Sequence, residues 1–199
     1  MNIAVLAANK NKDNKKLDFS TLFLGFAILL LITRLFFWGT YRVDGHSMDP
    51  TLKDGDYLIA VNYFSIERGD IVTARENNKI ITKRVIGLPN DTIEFKNDKL
   101  YVNGKEQEEP YLKEFKILFE KDRLHDEYSY NETFQTRAAQ MSHFTVNYDW
   151  KSDFAITLKD NEYYLLGDNR PVSQDSRQVG TFNRKQIIGK VIIKNINPF

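Results

Sequence analysis

The sequence predicts a mostly β domain that follows one transmembrane helix and carries an inserted, smaller β subdomain. Three observations point there. An apolar run lies early in an otherwise polar chain, short β-branched and aromatic runs fill the chain after residue 41, and a charge- and aromatic-rich stretch over 106–160 interrupts their rhythm.

Residues 1–18 read as a basic tail, because Lys10, Lys12, Lys15 and Lys16 are offset only by Asp13 and Asp18. Such a flank stays on the cytoplasmic side of a membrane, which places the remainder of the chain outside. Residues 19–39 hold a single formal charge, Arg34. That length matches the roughly 20 residues that a helix needs to cross the hydrocarbon core. A cleaved signal peptide is disfavoured, since the run is long and is followed by Phe36, Phe37, Trp38 and Tyr41 without a small-x-small site. A soluble core helix is disfavoured because residues 22–32 are apolar all round. Arg34 is placed to snorkel to the outer headgroups beside those aromatics.

Residues 40–199 form the extracytoplasmic domain. Its expected strands are 41–44, 57–61, 70–75, 80–87, 92–96, 99–102, 143–147, 153–158, 162–166 and 187–194. Asn97-Asp98 suits a tight hairpin and Asn103-Gly104 a second turn. The stretch 106–160 lacks clear periodicity and reads as the inserted β subdomain with long loops, and no long helical period stands out beyond the anchor.

Composition removes several functions. Lys and Arg number 28 against 27 for Asp and Glu, so no global field attracts nucleic acid. With no Cys, disulfides, thiolate catalysis and Cys-ligated zinc are excluded. His46, His125 and His143 are scattered, without the spacing that presents two metal ligands on one face. Neither a metal nor a cofactor is expected.

Three segments carry the chemistry. Residues 45–52, Gly-His-Ser-Met-Asp-Pro-Thr-Leu, begin just beyond the expected membrane exit, and Ser47 there is accessible to a substrate at the bilayer surface. Taken alone, such a serine is usually only a capping or solvated loop group. In residues 80–87, Ile-Ile-Thr-Lys-Arg-Val-Ile-Gly, period-2 alternation puts Lys83 on the face of Ile81 and Val85, with Arg84 opposite. A lysine on an apolar face either snorkels at a sheet edge or loses its proton, and a neutral amine serves as a base near neutral pH. The third segment, residues 167–177, follows the strand-like 163–166 and concentrates Asp168, Arg170, Ser173, Asp175, Ser176 and Arg177. Asp168 or Asp175 with Arg177 suits an ion pair, and a serine hydroxyl suits holding an amine in line.

Together, in this order and behind this anchor, the three segments resemble the boxes of bacterial type I signal peptidases: Ser-Met-x-Pro-Thr-Leu at 47–52, Lys-Arg-Val-Ile-Gly-Leu-Pro at 83–89, and Gly-Asp-Asn-Arg at 167–170 with Ser-x-Asp-Ser-Arg at 173–177. The resemblance implies a membrane-bound serine endopeptidase with a β core. It makes Ser47 the nucleophile, Lys83 the general base, and Ser173 the hydroxyl that orients the lysine. Asp168, Asp175 and Arg177 take supporting positions. The implied substrates are secreted preproteins cut after small-x-small sequences such as Ala-x-Ala, at the cell membrane, with neither metal nor cofactor. Two departures stand out. Gly45 occupies a position where some members carry a serine whose hydroxyl completes the oxyanion hole, so the Ser47 backbone N–H is the firmer donor. Asn90 replaces a usual glycine, and asparagine is the residue that best tolerates positive φ in its place. A self-cleaving Ser-Lys protease lacking the anchor and third box, and an inactive tethered scaffold, are the competing readings.

Overall fold

The computed structural model describes residues 18–62, 64–124 and 132–196. The basic tail falls outside the described residues except for Asp18, as do His125 and part of the 106–160 stretch. By contacts the chain divides at residues 36 and 37 into an N-terminal unit and a domain that runs to the C-terminus.

The N-terminal unit contains most of helix α1, Phe19–Phe37, 19 residues long. Its described apolar residues, from Phe19 at 84% exposed to Ile32 at 45%, turn outward on every face. Asp18 opens the helix by accepting from the Thr21 N–H at 2.8 Å. Among the described residues no helix is long and apolar enough to cross a membrane. The side chains of Leu35 and Phe36 are not among those described.

The second unit is mostly β, as the runs of Val, Ile and aromatic residues dictate. Its large antiparallel sheet contains β1 (Trp38–Arg42), β2 (Tyr57–Val61), β3 (Ile71–Glu76), β4 (Lys79–Gly87), β9 (Glu162–Leu166), β10 (Phe182–Asn183) and β11 (Ile187–Ile196). The spatial order is β1-β2-β11-β3-β4-β9-β10. A smaller sheet, ordered β7-β6-β5-β8, contains β5 (Thr92–Lys96), β6 (Lys99–Val102), β7 (Lys105–Gln107) and β8 (Phe154–Thr157). The β5–β6 turn is the one expected: Asn97 and Asp98 both take positive φ, 49° and 64°, which suits a two-residue hairpin between right-twisted strands. Asn90 also takes positive φ, 69°.

The inserted stretch departs from expectation. It is not a β subdomain: α2 (Lys113–Asp122) and α3 (Glu132–Gln140) dominate it. Phe115 and Phe119, one helical turn apart, are 1% exposed and share a cluster with Leu112, Leu124, Ala138, Met141, Phe144 and Val146. Residues 143–147 form no strand. The backbone N–H groups of Phe144 and Thr145 instead donate to the Asp98 carboxylate at 2.9 and 2.5 Å, tying the insertion to the β5–β6 turn. The first strand is also shifted from 41–44 to Trp38–Arg42.

Candidate active site

Ser47 sits in the loop after β1, and its neighbours explain why that loop has one conformation. Met48 and Leu52 are fully buried with Val43 and Leu58, which anchors the loop from beneath. The Gly45 N–H donates to Asp54 Oδ1 at 2.8 Å, and Gly45 has φ +83°, a backbone that favours glycine. From the far end of the chain, Asn169 clasps the same loop. Its backbone N–H donates to the Ser47 carbonyl at 3.1 Å and its Nδ2 to the His46 carbonyl at 2.9 Å.

Lys83 lies in β4 and is 3% exposed. Its Nζ donates to Ser47 Oγ at 2.7 Å. Desolvation pushes the Lys83 pKa down to about 8, against the opposing pull of Asp175, Glu76 and Asp168 and with help from Arg177. The alternation expected along β4 separates the two cations as anticipated. While Lys83 meets the serine, Arg84 donates to Asp168 through Nε at 2.8 Å and Nη2 at 2.6 Å. Thr51 Oγ1 also donates to Asp168, at 2.5 Å, so the nucleophile loop, β4 and the third segment converge on one buried carboxylate.

Asp175 carries a second convergence. It caps α4 (Ser176–Val179), accepts the Gly167 N–H at 3.0 Å, and pairs with Arg177 through Nε and Nη2, both at 2.8 Å. Burial works against the Asp175 carboxylate, but Arg177 and the donated N–H bonds prevail and hold its pKa below the ordinary range. Arg177 spends its remaining donors on the carbonyls of Val146, Arg170 and Ser173. Gly167 is clamped on its other side by Arg170, whose Nε donates to the Gly167 carbonyl at 3.0 Å. Arg170 is 1% exposed and is itself paired with Glu109 from the inserted stretch. The clamp explains the glycine: a β-carbon at 167 would collide with the Ser47 carbonyl oxygen and with Ser173.

Ser47, Lys83, Asp168, Asp175 and Arg177 are thus gathered into one region. Ser173 is buried against Gly167, but its Oγ has no hydrogen-bond partner and makes no bond to Lys83. Among the described residues, no hydrogen bond engages the Ser47 N–H. The Gly45 N–H is committed to Asp54. His46 lies beside the nucleophile with Nδ1 3.1 Å from Asp49 Oδ2. Residues 41–44 and 79–83, with Ser47 and Met48, line a cleft of about 290 Å³.

The sequence reading assigned no role to Arg84, Asn169, Arg170, Thr51 or Glu109. The first four lie within the quoted segments, where charge or position signals a supporting part. Glu109 carries no such signal, because its partner is 61 positions away. No cluster of His, Asp and Glu suited to a metal occurs among the described residues.

Comparison with known proteins shows the family to which the chain belongs. A family model described as "Signal peptidase, peptidase S26" matches residues 16–195. A signal peptidase I of Streptococcus pneumoniae is 48% identical over 178 residues, covering 85% of this chain and 87% of the relative. Signal peptidase IB of Staphylococcus aureus is 40% identical over 171 residues, covering 82% of this chain and 81% of the relative. A solved signal peptidase I structure from Enterococcus faecalis aligns with a TM-score of 0.48 at 29% identity, over 65% of this chain and 98% of the other.

Proposed function

The chain belongs to the signal peptidase family, peptidase S26, and we propose that it removes signal peptides from secreted preproteins with Ser47 as nucleophile and Lys83 as general base. The observation that carries this reading is the 2.7 Å contact between Ser47 Oγ and a lysine Nζ that burial makes easy to deprotonate.

Neutral Lys83 takes the Ser47 proton as Oγ attacks the scissile carbonyl carbon. The Ser47 N–H donates to the resulting oxyanion. Lys83 then returns its proton to the departing amine, which leaves an acyl-enzyme on Ser47. A water molecule, deprotonated by Lys83, attacks that ester, and collapse of the second tetrahedral intermediate frees the carboxylate and restores Ser47. Asp168 and Asp175 touch none of the reacting atoms in this scheme: the first locks the serine loop to β4 through Thr51 and Arg84, and the second fixes Gly167 against that loop. Ser173, buried against Gly167 with its Oγ uncommitted, is the hydroxyl that orients Lys83 in this reading. The cleft beside Ser47 is where the substrate would lie, and the family resemblance implies small side chains at the cut, as in Ala-x-Ala substrates.

Residues 19–39 serve as the membrane anchor in this reading. At about 1.5 Å per residue the 19-residue α1 is about 28 Å long, close to the roughly 30 Å of a hydrocarbon core. The basic tail would remain cytoplasmic and residues 40–199, the catalytic domain, would face outward at the cell membrane. The test is cleavage of a defined Ala-x-Ala preprotein by purified protein in detergent. Ser47→Ala and Lys83→Ala each abolish cleavage, while circular dichroism shows the wild-type fold. Normal turnover by either variant sinks the dyad.

A further inference from the structure

One cavity is lined by residues other than those of the Ser47 cleft. It measures about 620 Å³ and is lined by Arg137 and Gln140 of α3, by Asn147, Tyr148 and Trp150, and by Gln178 of α4. Among the described residues no Asp or Glu lines it, and Asp149 is turned to solvent.

Its polar groups are predominantly donors. Arg137 lies over the Trp150 ring, 5.5 Å from its centroid, with a buried Nε that has no hydrogen-bond partner. None of the ion pairs among the described residues includes Arg137. Two of the amides have their oxygens committed elsewhere. Asn147 Oδ1 accepts the Lys151 N–H at 2.9 Å, and Gln178 Oε1 accepts the Asp175 N–H at 3.0 Å. Those bonds fix which end of each amide is which and leave both NH₂ groups as donors. Asp175, the acid whose charge reaches Arg137, is already paired with Arg177, so a guanidinium on an aromatic face with two amide donors matches a carboxylate.

The apolar part of the site is held in place rather than left loose. The Asn147 N–H donates to the Lys151 carbonyl at 3.0 Å and the Trp150 N–H to the Asn147 carbonyl at 3.1 Å, closing the turn. Trp150 has φ +62°, an unusual conformation for a bulky residue. The turn leaves Tyr148 73% and Trp150 48% exposed. Two aromatic faces beside an unpaired cation favour an anion attached to apolar groups over a bare ion.

We propose that this pocket docks a carboxylate side chain of a polypeptide, with Arg137, Asn147 and Gln178 holding the anion and Tyr148 and Trp150 taking up the flanking residues. The choice of a polypeptide over other anions rests on the reading of the chain as a preprotein-processing enzyme. The pocket also adjoins the machinery around Gly167, since Gln178 bonds the Asp175 backbone and the Val146 carbonyl accepts from Arg177 at 3.1 Å.

The test uses full-length chain in detergent carrying Ser47→Ala and Trp38→Phe, so that Trp150 alone reports by fluorescence. Acetyl-Phe-Glu-Phe amide produces a saturable change, and its Gln counterpart binds at least about tenfold more weakly, as expected for loss of a charged hydrogen bond. Adding Arg137→Gln weakens the Glu peptide by a similar factor, while thermal melting shows that variant to be folded. Calorimetric titration of the Ser47→Ala chain with Trp38 retained gives the same peptide ranking. Equal binding of the Glu and Gln peptides overturns the proposal. So does displacement by inorganic phosphate at concentrations matching the peptide's own, which would mark a site for small anions. Because these titrations involve no cleavage, failure here leaves the Ser47–Lys83 assignment standing, and failure of that assignment leaves these titrations intact.

Discussion

Lys83 shows how a common residue becomes a base by position. An ammonium in an apolar strand face is costly, so burial lowers its pKa, neighbouring carboxylates offset only part of that drop, and the net result is a fall from 10.5 to about 8. Two outcomes follow at this scale. Below about pH 8 the neutral fraction of Lys83 grows about tenfold per pH unit. The rate of Ser47 acylation should rise on that slope and level off above pH 8, and a flat profile between pH 6 and 8 would contradict a lysine base. Stability follows the same group with a defined sign. The unfolded chain binds more protons than the folded one between the folded and unfolded pKa values, so stability due to Lys83 is lowest below pH 8 and is regained toward 10.5. Chemical denaturation of Lys83→Met should therefore show an advantage over wild type at pH 7 that shrinks by about 3 kcal/mol as the pH approaches 10.5. Gly167 gives a steric counterpart: Gly167→Ala drives a methyl group into the Ser47 carbonyl and Ser173, and cleavage should fall by about a hundredfold or more while the β fold persists. Much of this was legible in the chain, because alternation along 80–87 already put Lys83 and Arg84 on opposite faces. The partners were not legible. Glu109 pairs with Arg170, and Asp168 with Thr51 and Arg84, only after remote segments meet.

Among the elements, the strands with β-branched alternation were readable and the inserted helices were not. In α2 the buried positions are Phe115 and Phe119, with Leu118 packed against the same cluster, and they are set among Lys113, Glu114, Lys116, Glu120 and Lys121, so a short helical stripe is hidden by charge. Residues 143–147 resemble a strand because Phe144 and Val146 alternate, yet both point into the helical cluster while Asp98 takes up the freed N–H groups. Helix α2 earns its stability from that cluster, since a helix of 10 residues is marginal in water by itself. Phe119 meets Phe144 edge-on with ring centroids 5.5 Å apart. Phe119→Ala should cost about 3–5 kcal/mol in a denaturant titration, against no more than about 0.5 for Ile117→Ala, which is 54% exposed on the same helix. Equal costs would show that the cluster does not hold α2.

On the scale of the whole molecule, the division at residues 36 and 37 would correspond to a change of solvent if α1 is the proposed anchor. Residues 38 onward bury their apolar side chains in four clusters, whereas the described apolar residues of α1 are exposed on every side. Exposure of that kind in water would gather chains into aggregates, while in lipid it is the favourable arrangement, with every helical backbone bond satisfied internally. This contrast was legible from composition alone, because a run of about 20 apolar residues needs no tertiary partner to reveal itself. If α1 is the anchor, its centre must be intolerant of charge. Leu29 and Ile32 lie one turn apart in it and are 56% and 45% exposed, so neither substitution disturbs a packed core. Each lysine placed near the middle of a spanning helix costs about 2.5–3.5 kcal/mol of insertion free energy, enough together to shift partitioning by about 10⁴-fold. In cells expressing the full chain, Leu29→Lys combined with Ile32→Lys should leave the membrane pellet after an alkaline carbonate wash, whereas Leu29→Ala with Ile32→Ala should stay in it. Retention of the double-lysine chain in the pellet would mean that the membrane holds this protein through a surface other than α1.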